Sequence, residues 1–371
     1  MDTTILEELK GHIATPCVSV IIPTHKLSPE RALDELHVNQ VIKKAEELVL
    51  DKFGKNKIGE EIILKLNELV SQIDFVHNDL GLGFYVSPEV SHLVRFPFAV
   101  KEKIIVGNSF EIRDIIYLEA TLLEYCLFVM NEKELKLFDG KGESLTMYKN
   151  KDFPAHFVDD YEYERPSLGS SYGYALKSTE KDKSIVNEQR LMMFLKQADQ
   201  KMSKYVSPHT PLIISGNSKD IGYFKKNTIH STNIIGEIHG NYLHENIQTL
   251  GVFAFEKITE YLKIEEEKLL TRFENAIGKK LAVHGIQDVW TFANEGKGLL
   301  LLVEKDYMFK GYILPNDSTL YPIPPKKQYE ILEDAVDDVM EVVMNKGGKV
   351  VVMEEGRLQQ YGKIALILRY R

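Results

Sequence analysis

Tyr125-Cys-Leu-Phe-Val-Met-Asn-Glu-Lys-Glu-Leu-Lys-Leu-Phe-Asp-Gly140 is the stretch on which the fold turns. Its first six residues are an unbroken apolar run, as in a strand buried on both faces. Asn131-Glu132-Lys133-Glu134 supplies turn residues, and Leu135–Phe138 is a second strand closed by Asp139-Gly140. Glu143–Tyr148 adds a third, so a meander opens the middle of the chain. Further on, Pro211-Leu-Ile-Ile-Ser-Gly216 contains another buried strand, and Ile234-Ile235-Gly236-Glu237-Ile238 one more. Between these parts lies Arg165–Lys183, polar and rich in Gly, Ser and Tyr, with neither helical nor strand period. Segments of this kind inside a domain are usually functional or disordered, and a protruding loop is expected. From about Asp182 to Tyr205 the pattern is helical, with Leu191, Phe194, Leu195, Ala198 and Met202 on one side. Arg190, Lys201 and Lys204 share another face, with Lys196 at its edge.

Outward toward the N-terminus, Val18–Pro23 is β-branched and closed by proline, a buried strand. Ser28-Pro29-Glu30 starts a helix that runs to about Phe53. A second helix carries Ile62 to Ile73, and Gly83–Ser87, Ser91–Phe96 and Glu102–Val106 are short strands. Toward the C-terminus, a long helix spans Leu250 to Ala276, and Asp288–Asn294 is helical. Gly298–Val303, Tyr312–Leu314, Lys349–Met353 and Ile364–Leu368 are strands. Tyr329–Met344 is expected as an amphipathic helix with an acidic outer face of Glu330, Glu333, Asp334, Asp337, Asp338 and Glu341. The alternation indicates α/β architecture, a sheet covered by helices. Three domains are expected at 1–122, 123–248 and 249–371, within the size range of ordinary domains.

Of the 371 residues, 44% are hydrophobic and 27% charged, as in a globular protein, with a formal net charge of −9. A protein living on phosphate contacts usually carries excess positive charge, so any nucleic-acid role must rest on a local basic face. Lys177, Lys181, Lys183, Arg190, Lys196, Lys201 and Lys204 are the one local concentration found. A solvated helix face is the simpler explanation, since Glu180, Asp182, Glu188 and Asp199 interleave with them. The two cysteines, Cys17 and Cys126, sit in apolar runs and read as core thiols. Neither Cys/His spacing nor His239 and His244, five apart, suggests a metal site, and no cofactor is expected. No apolar run approaches the length of a membrane helix, and the N-terminus is unlike a signal peptide, so a cytoplasmic protein without membrane contact is expected.

Two motifs invite other chemistry. Val18-Ser-Val-Ile-Ile-Pro-Thr24 also opens many nucleotide-sugar glycosyltransferases, but those need an Asp-rich strand end for a metal–diphosphate pair, and helices follow here instead. Gly169-Ser170-Ser171-Tyr172-Gly173 matches the Gly-x-Ser-x-Gly of serine hydrolases. There the serine sits between a buried strand and a helix, and Tyr163-Glu164-Arg165-Pro166 is no such strand. A serine-type hydrolase using Ser171 stays as an alternative, as does a non-catalytic protein-interaction factor.

Taken together, four stretches resemble a known superfamily. These are Tyr125–Gly140; the segment 165–183 with the basic helix and Pro211–Gly216; His239-Gly240 leading into a long helix; and Glu333-Asp-Ala-Val-Asp-Asp-Val-Met340 with Gly347-Gly-Lys-Val-Val-Val-Met353 and Ile364–Tyr370. In order and kind they are similar to a bacterial relative of the archaeal and eukaryotic class-one peptide chain release factor and Pelota superfamily. The resemblance implies a mixed α/β N-terminal domain, an RNase H-like middle domain and an L7Ae/L30e-like C-terminal domain. It also implies a partner in the ribosome, rRNA or tRNA at the A site, and a protein partner at the acidic helix. Release factors position water for attack on peptidyl-tRNA with a Gly-Gly-Gln loop. This chain has Gly169, Ser170, Ser171 and Gly173 in the corresponding segment and no Gly-Gly-Gln anywhere. Whether it hydrolyses peptidyl-tRNA is thus left open, and rescue or termination-like action without that motif is the expectation.

Overall fold

The computed structural model describes residues 5–27, 29–54, 56–157, 188–315 and 319–371. The chain is a mixed α/β protein that divides into two compact units, one of Met1–Ala120 with Lys268–Arg371, the other of Thr121–Glu267. After a short helix α1 (Ile5–Leu9), β1 (Cys17–Pro23) forms where the β-branched run predicts it. Successive side chains of a strand point to opposite faces, and β1 is buried on both. Val18, Val20 and Ile22 meet α2 (Asp34–Phe53) and α3 (Lys57–Ser71) through Val41, Ala45, Ile62 and Leu66. Asn56 caps α3 by accepting from the Gly59 N–H at 2.8 Å. With β2 (Gly81–Val86), β3 (Ser91–Phe96) and β4 (Lys103–Gly107), β1 builds an antiparallel sheet of order β3-β2-β1-β4. Then comes α4 (Arg113–Thr121), which the sequence pattern did not reveal.

In the second unit, β5 (Glu124–Met130) and β6 (Glu134–Lys141) make the expected hairpin, in register from Glu124↔Lys141 to Met130↔Leu135. Tyr125 lies over its cross-strand partner Gly140, where a Cβ would stand 2.4 Å from the ring, so only glycine fits. The Tyr125 hydroxyl donates to the Gly142 carbonyl at 2.9 Å. Next are β7 (Ser144–Met147), β8 (Ala155–His156), α5 (188–202), β9 (Leu212–Gly216), α6 (Ser218–Asn227) and β10 (Ile234–His239). The sheet order is β10-β9-β5-β6-β7, with β8 beside β6. β9 and β10 run parallel to β5, whereas β6 and β7 are antiparallel. One face is covered by α5 and α6 through Leu195, Met202, Ile221 and Phe224. The other carries Leu250, Ala254 and Ile258 of α7 (Ile247–Gly278). Helices on both faces explain why β5 is apolar throughout rather than alternating.

The chain completes the first unit with β11 (Ala282–His284), α8 (Ile286–Asn294), β12 (Gly298–Glu304), β13 (Gly311–Ile313), β14 (Glu330–Leu332), α9 (Ala335–Asn345), β15 (Lys349–Met353) and β16 (Ile364–Leu368). Four of these strands form a sheet of order β11-β16-β12-β15. Phe273 and Ala276 of α7 pack on one face. α8 and α9 cover the other, and their far sides meet Ile21, Tyr85 and Phe96, so the N- and C-terminal segments share one core.

That packing corrects one expectation. Tyr329–Met344 is not a single helix but β14 followed by α9, broken at Asp334, which caps α9 by accepting from the Val336 N–H at 3.1 Å. Nor is the acidic face wholly an outer one, because Asp334 and Asp337 are buried. Arg113, 0% exposed, pairs with Asp334 and lies 3.6 Å from Glu111. The Ile112 N–H donates to Asp337 at 3.2 Å, and Lys103 sits 2.9 Å from Asp114. Acidic residues at helical spacing look the same in sequence whether they face water or buried cations. Burial opposes the Arg113 charge, yet Glu111, Asp334 and Asp337 hold it above even the usual guanidinium range. Burial pushes Asp334 up to about 6, and Asp338 and Glu341 up to about 7. Among the described residues no helix is long and apolar enough to cross a membrane.

Candidate functional site

The carboxyl ends of the parallel strands β5, β9 and β10 converge on one edge of the middle sheet. β9 lies on one side of β5 and antiparallel β6 on the other, so the connections diverge there. Open α/β sheets bind ligands at such a divergence.

The residues at that edge are locally determined. Asn131, just past β5, accepts from the Lys133 N–H at 3.0 Å and donates from Nδ2 to Asn241 at 3.1 Å. Past β9, Asn217 caps α6 by accepting from the Asp220 N–H at 2.8 Å, and its Nδ2 donates back to Asp220 at 2.8 Å. The first bond satisfies one helix-end donor, and the second ties the two side chains together. Asp220 is 1% exposed, and its second oxygen, Oδ1, has no partner among the described residues. Burial first, and Glu132 second, raise its pKa above the usual carboxylate range. The Ser218 hydroxyl stands 3.5 Å from His239 Nδ1, and His239 Nε2 is 3.3 Å from Glu237. Lys225 shares that carboxylate at 2.5 Å, and the His239 side chain is 57% exposed. An activated nucleophile needs a base oriented by a third group; here that group is already neutralised and the base is open to water.

Both flanks of residues 158–187 are tied to this same edge. The Phe157 N–H donates to the Lys133 carbonyl at 2.8 Å, and its ring meets Phe194 edge-on at 5.5 Å. Glu188 lies 3.7 Å from Lys219. The expected loop 165–183 lies outside the described residues, and so do Gly169, Ser170, Ser171, Gly173, Lys177, Lys181 and Lys183.

The remaining basic candidates are all on or just past α5. Arg190 and Lys201 are half-buried, and Lys196 is exposed. Lys204 donates to Asp152 at 2.8 Å, and the Tyr205 hydroxyl donates to the same carboxylate at 3.1 Å. The Lys204 hydrogen bond holds Asp152 below the usual carboxylate range and raises the lysine in turn. Part of this basic face is therefore neutralised locally. Cys17 and Cys126 are free and buried, their thiols pushed up by burial to about 11 and about 12. Among the described residues no group of three or more His, Cys, Asp or Glu stands where it could hold a metal ion. Asn217 and Asp220 escaped the sequence reading. Their signal was Gly216-Asn217-Ser218 directly after a buried strand, an N-cap in the usual place.

Residues 124–297 match the model of bacterial archaeo-eukaryotic release factor family 3. No curated protein matches the chain. Among solved structures, the archaeal translation termination factor aRF1 aligns over 99% of this chain and 96% of its own, at 15% identity and a TM-score of 0.25. Archaeoglobus fulgidus Pelota aligns over 76% of each chain, at 14% identity and a TM-score of 0.36. S. cerevisiae Dom34, a translation termination-like factor, aligns over 77% of this chain and 73% of its own, at 15% identity and a TM-score of 0.40. The span of the family match takes in the whole edge built above, from β5 through β10, and over those residues the chain is similar to bacterial archaeo-eukaryotic release factor family 3.

Proposed function

We propose that this protein acts on the translation machinery by entering the ribosomal A site, in a rescue-type role that does not hydrolyse peptidyl-tRNA. The observation that carries the reading is the family match over residues 124–297. The middle sheet supports it. Its order β10-β9-β5-β6-β7, three antiparallel strands continued by two parallel ones, fits an RNase H-like domain. The C-terminal sheet, with helices on both faces, fits an L7Ae/L30e-like domain. On this reading the functional partition is 1–122, 123–248 and 249–371. The β5–β9–β10 edge faces RNA. Arg190, Lys196 and Lys201 contribute to phosphate contact, with Lys204 freed only if Asp152 releases it. The sequence holds no Gly-Gly-Gln, which is why hydrolysis is left out of the proposal.

The test is sedimentation of the full chain with ribosomes that carry peptidyl-tRNA, across a range of salt, with peptide release followed in the same tubes. Counterion release makes phosphate contacts weaken as salt rises. The expected result is salt-sensitive pelleting without peptide release. No pelleting at low salt sinks the proposal, and release above background removes its non-hydrolytic part.

A further inference from the structure

The last turns of α7 and the adjoining ends of β12 and β16 enclose a groove of about 550 Å³ whose lining carries charge of one sign. Lys268, Arg272, Lys279 and Arg369 line it, and no carboxylate does. In a chain of net charge −9 this is a local inversion. A cleft lined by one sign of charge focuses the field and gathers counter-ions.

The arrangement is linear. At 100° per residue, Lys268 and Arg272 lie about 40° from one another on α7, about one turn apart, and Lys279 follows one residue past the helix end. Asn275 lies on the same stripe, with Thr271 at its margin, and both line the groove. Neutral hydrogen-bonding side chains of this kind are, beside lysine and arginine, the usual partners of phosphate and sugar oxygens. Glu274 points elsewhere and accepts from the Tyr361 hydroxyl at 3.2 Å. Arg369 is held in place by donating to the Lys346 carbonyl at 2.7 Å. A guanidinium has five N–H donors, so this bond leaves others for a ligand. Cations at a helix C-terminus also answer the helix dipole, but that effect is confined to the last turn. It accounts for Lys279 and not for Arg272, nearly two turns inside the helix.

We propose that this groove binds the phosphate backbone of RNA. The proposal goes beyond the translation reading, because it places an RNA contact in the other unit of the chain and holds for RNA free of the ribosome. A duplex strand offers a phosphate about every 3.4 Å of axis, so a stripe of this length meets several.

The experiment is fluorescence anisotropy of a short labelled RNA with the full chain over a range of salt, using the double variant Arg272→Ser with Lys279→Ser. Both side chains are exposed, and the variant's fold is checked by the fluorescence of buried Trp290. Binding should weaken about tenfold at low salt, and the slope of log K against log salt should fall by about two, one for each phosphate contact removed. Lys43→Ser with Lys57→Ser removes the same net charge from exposed positions on α2 and α3 and should leave the slope unchanged. The proposal is overturned if the groove variant keeps the wild-type slope, or if both double variants lower it equally. It is also overturned if poly-glutamate displaces the RNA at equal charge concentration, which would make the groove a site for an acidic protein.

Discussion

Replacing Arg113 with methionine removes a charge while keeping most of the side chain's length. Arg113 is 0% exposed and stands among Glu111, Asp334 and Asp337. At 3.6 Å from Glu111, the attraction is worth ~4–5 kcal/mol at an effective dielectric constant of about 20. The paired Asp334 adds a comparable attraction. Part of this is recovered, because the guanidinium no longer suffers desolvation. Removing one partner of a buried ion pair costs about 3–5 kcal/mol in net terms, and that is the loss expected near neutral pH. The loss should shrink in acid, since burial already pushes Asp334 up to about 6 and Asp337 well above the usual carboxylate range. Protonation then removes the stranded charges. Trp290, the one tryptophan of the chain, is 6% exposed in the same core and reports on this unit. Urea unfolding followed by its fluorescence, at about pH 7.5 and about pH 5.5, measures both effects. A loss below about 1 kcal/mol near pH 7.5, or an equal loss at both pH values, would refute the reasoning.

Further outcomes follow from the same geometry. Asp338 and Glu341 have folded-state pKa values of about 7, above those of an unfolded chain, so the folded form binds protons more tightly between about pH 4 and pH 7. Stability of the Trp290-containing unit should therefore fall as pH rises through that window, by at most about 8 kcal/mol in sum, and flatten above it; a rise with pH over the same range contradicts this. Gly251 lies so close to the β6–β7 turn that an added Cβ would be 2.0 Å from the Glu143 carbonyl oxygen. Gly251→Ala should cost about 1–3 kcal/mol by overpacking, read by circular dichroism of the chain in urea; a stabilised variant would show that the contact relaxes freely.

What the sequence made legible was local. β1 was readable because four of the five residues Val18–Ile22 are β-branched, and the β5–β6 hairpin because Asn131–Glu134 is turn-forming between apolar runs. The acidic residues from Asp334 to Glu341 were misread because their partner is distant in sequence. Arg113 comes from the N-terminal segment, and nothing in the spacing of α9 announces it. A signal did exist on the other side, since Arg113-Asp114 sits inside Ile112–Ile116, where a charged pair in an apolar run should be paired across the core. In the middle unit, the carboxyl edge of the sheet depends on strand order, which brings Asn131, Asn217 and His239 together. Their spacing in the chain gives no hint of it. The basic side chains of α5 were visible, but the capture of Lys204 by Asp152 was not, because it joins residues 52 apart.

The most direct test of the central claim is to pellet the protein with two preparations of ribosomes, one with the A site empty and one with it filled by tRNA. The account predicts salt-sensitive binding to the first and its loss on the second, because the protein and tRNA would claim the same space. Equal binding to both, or binding to neither at low salt, would contradict it.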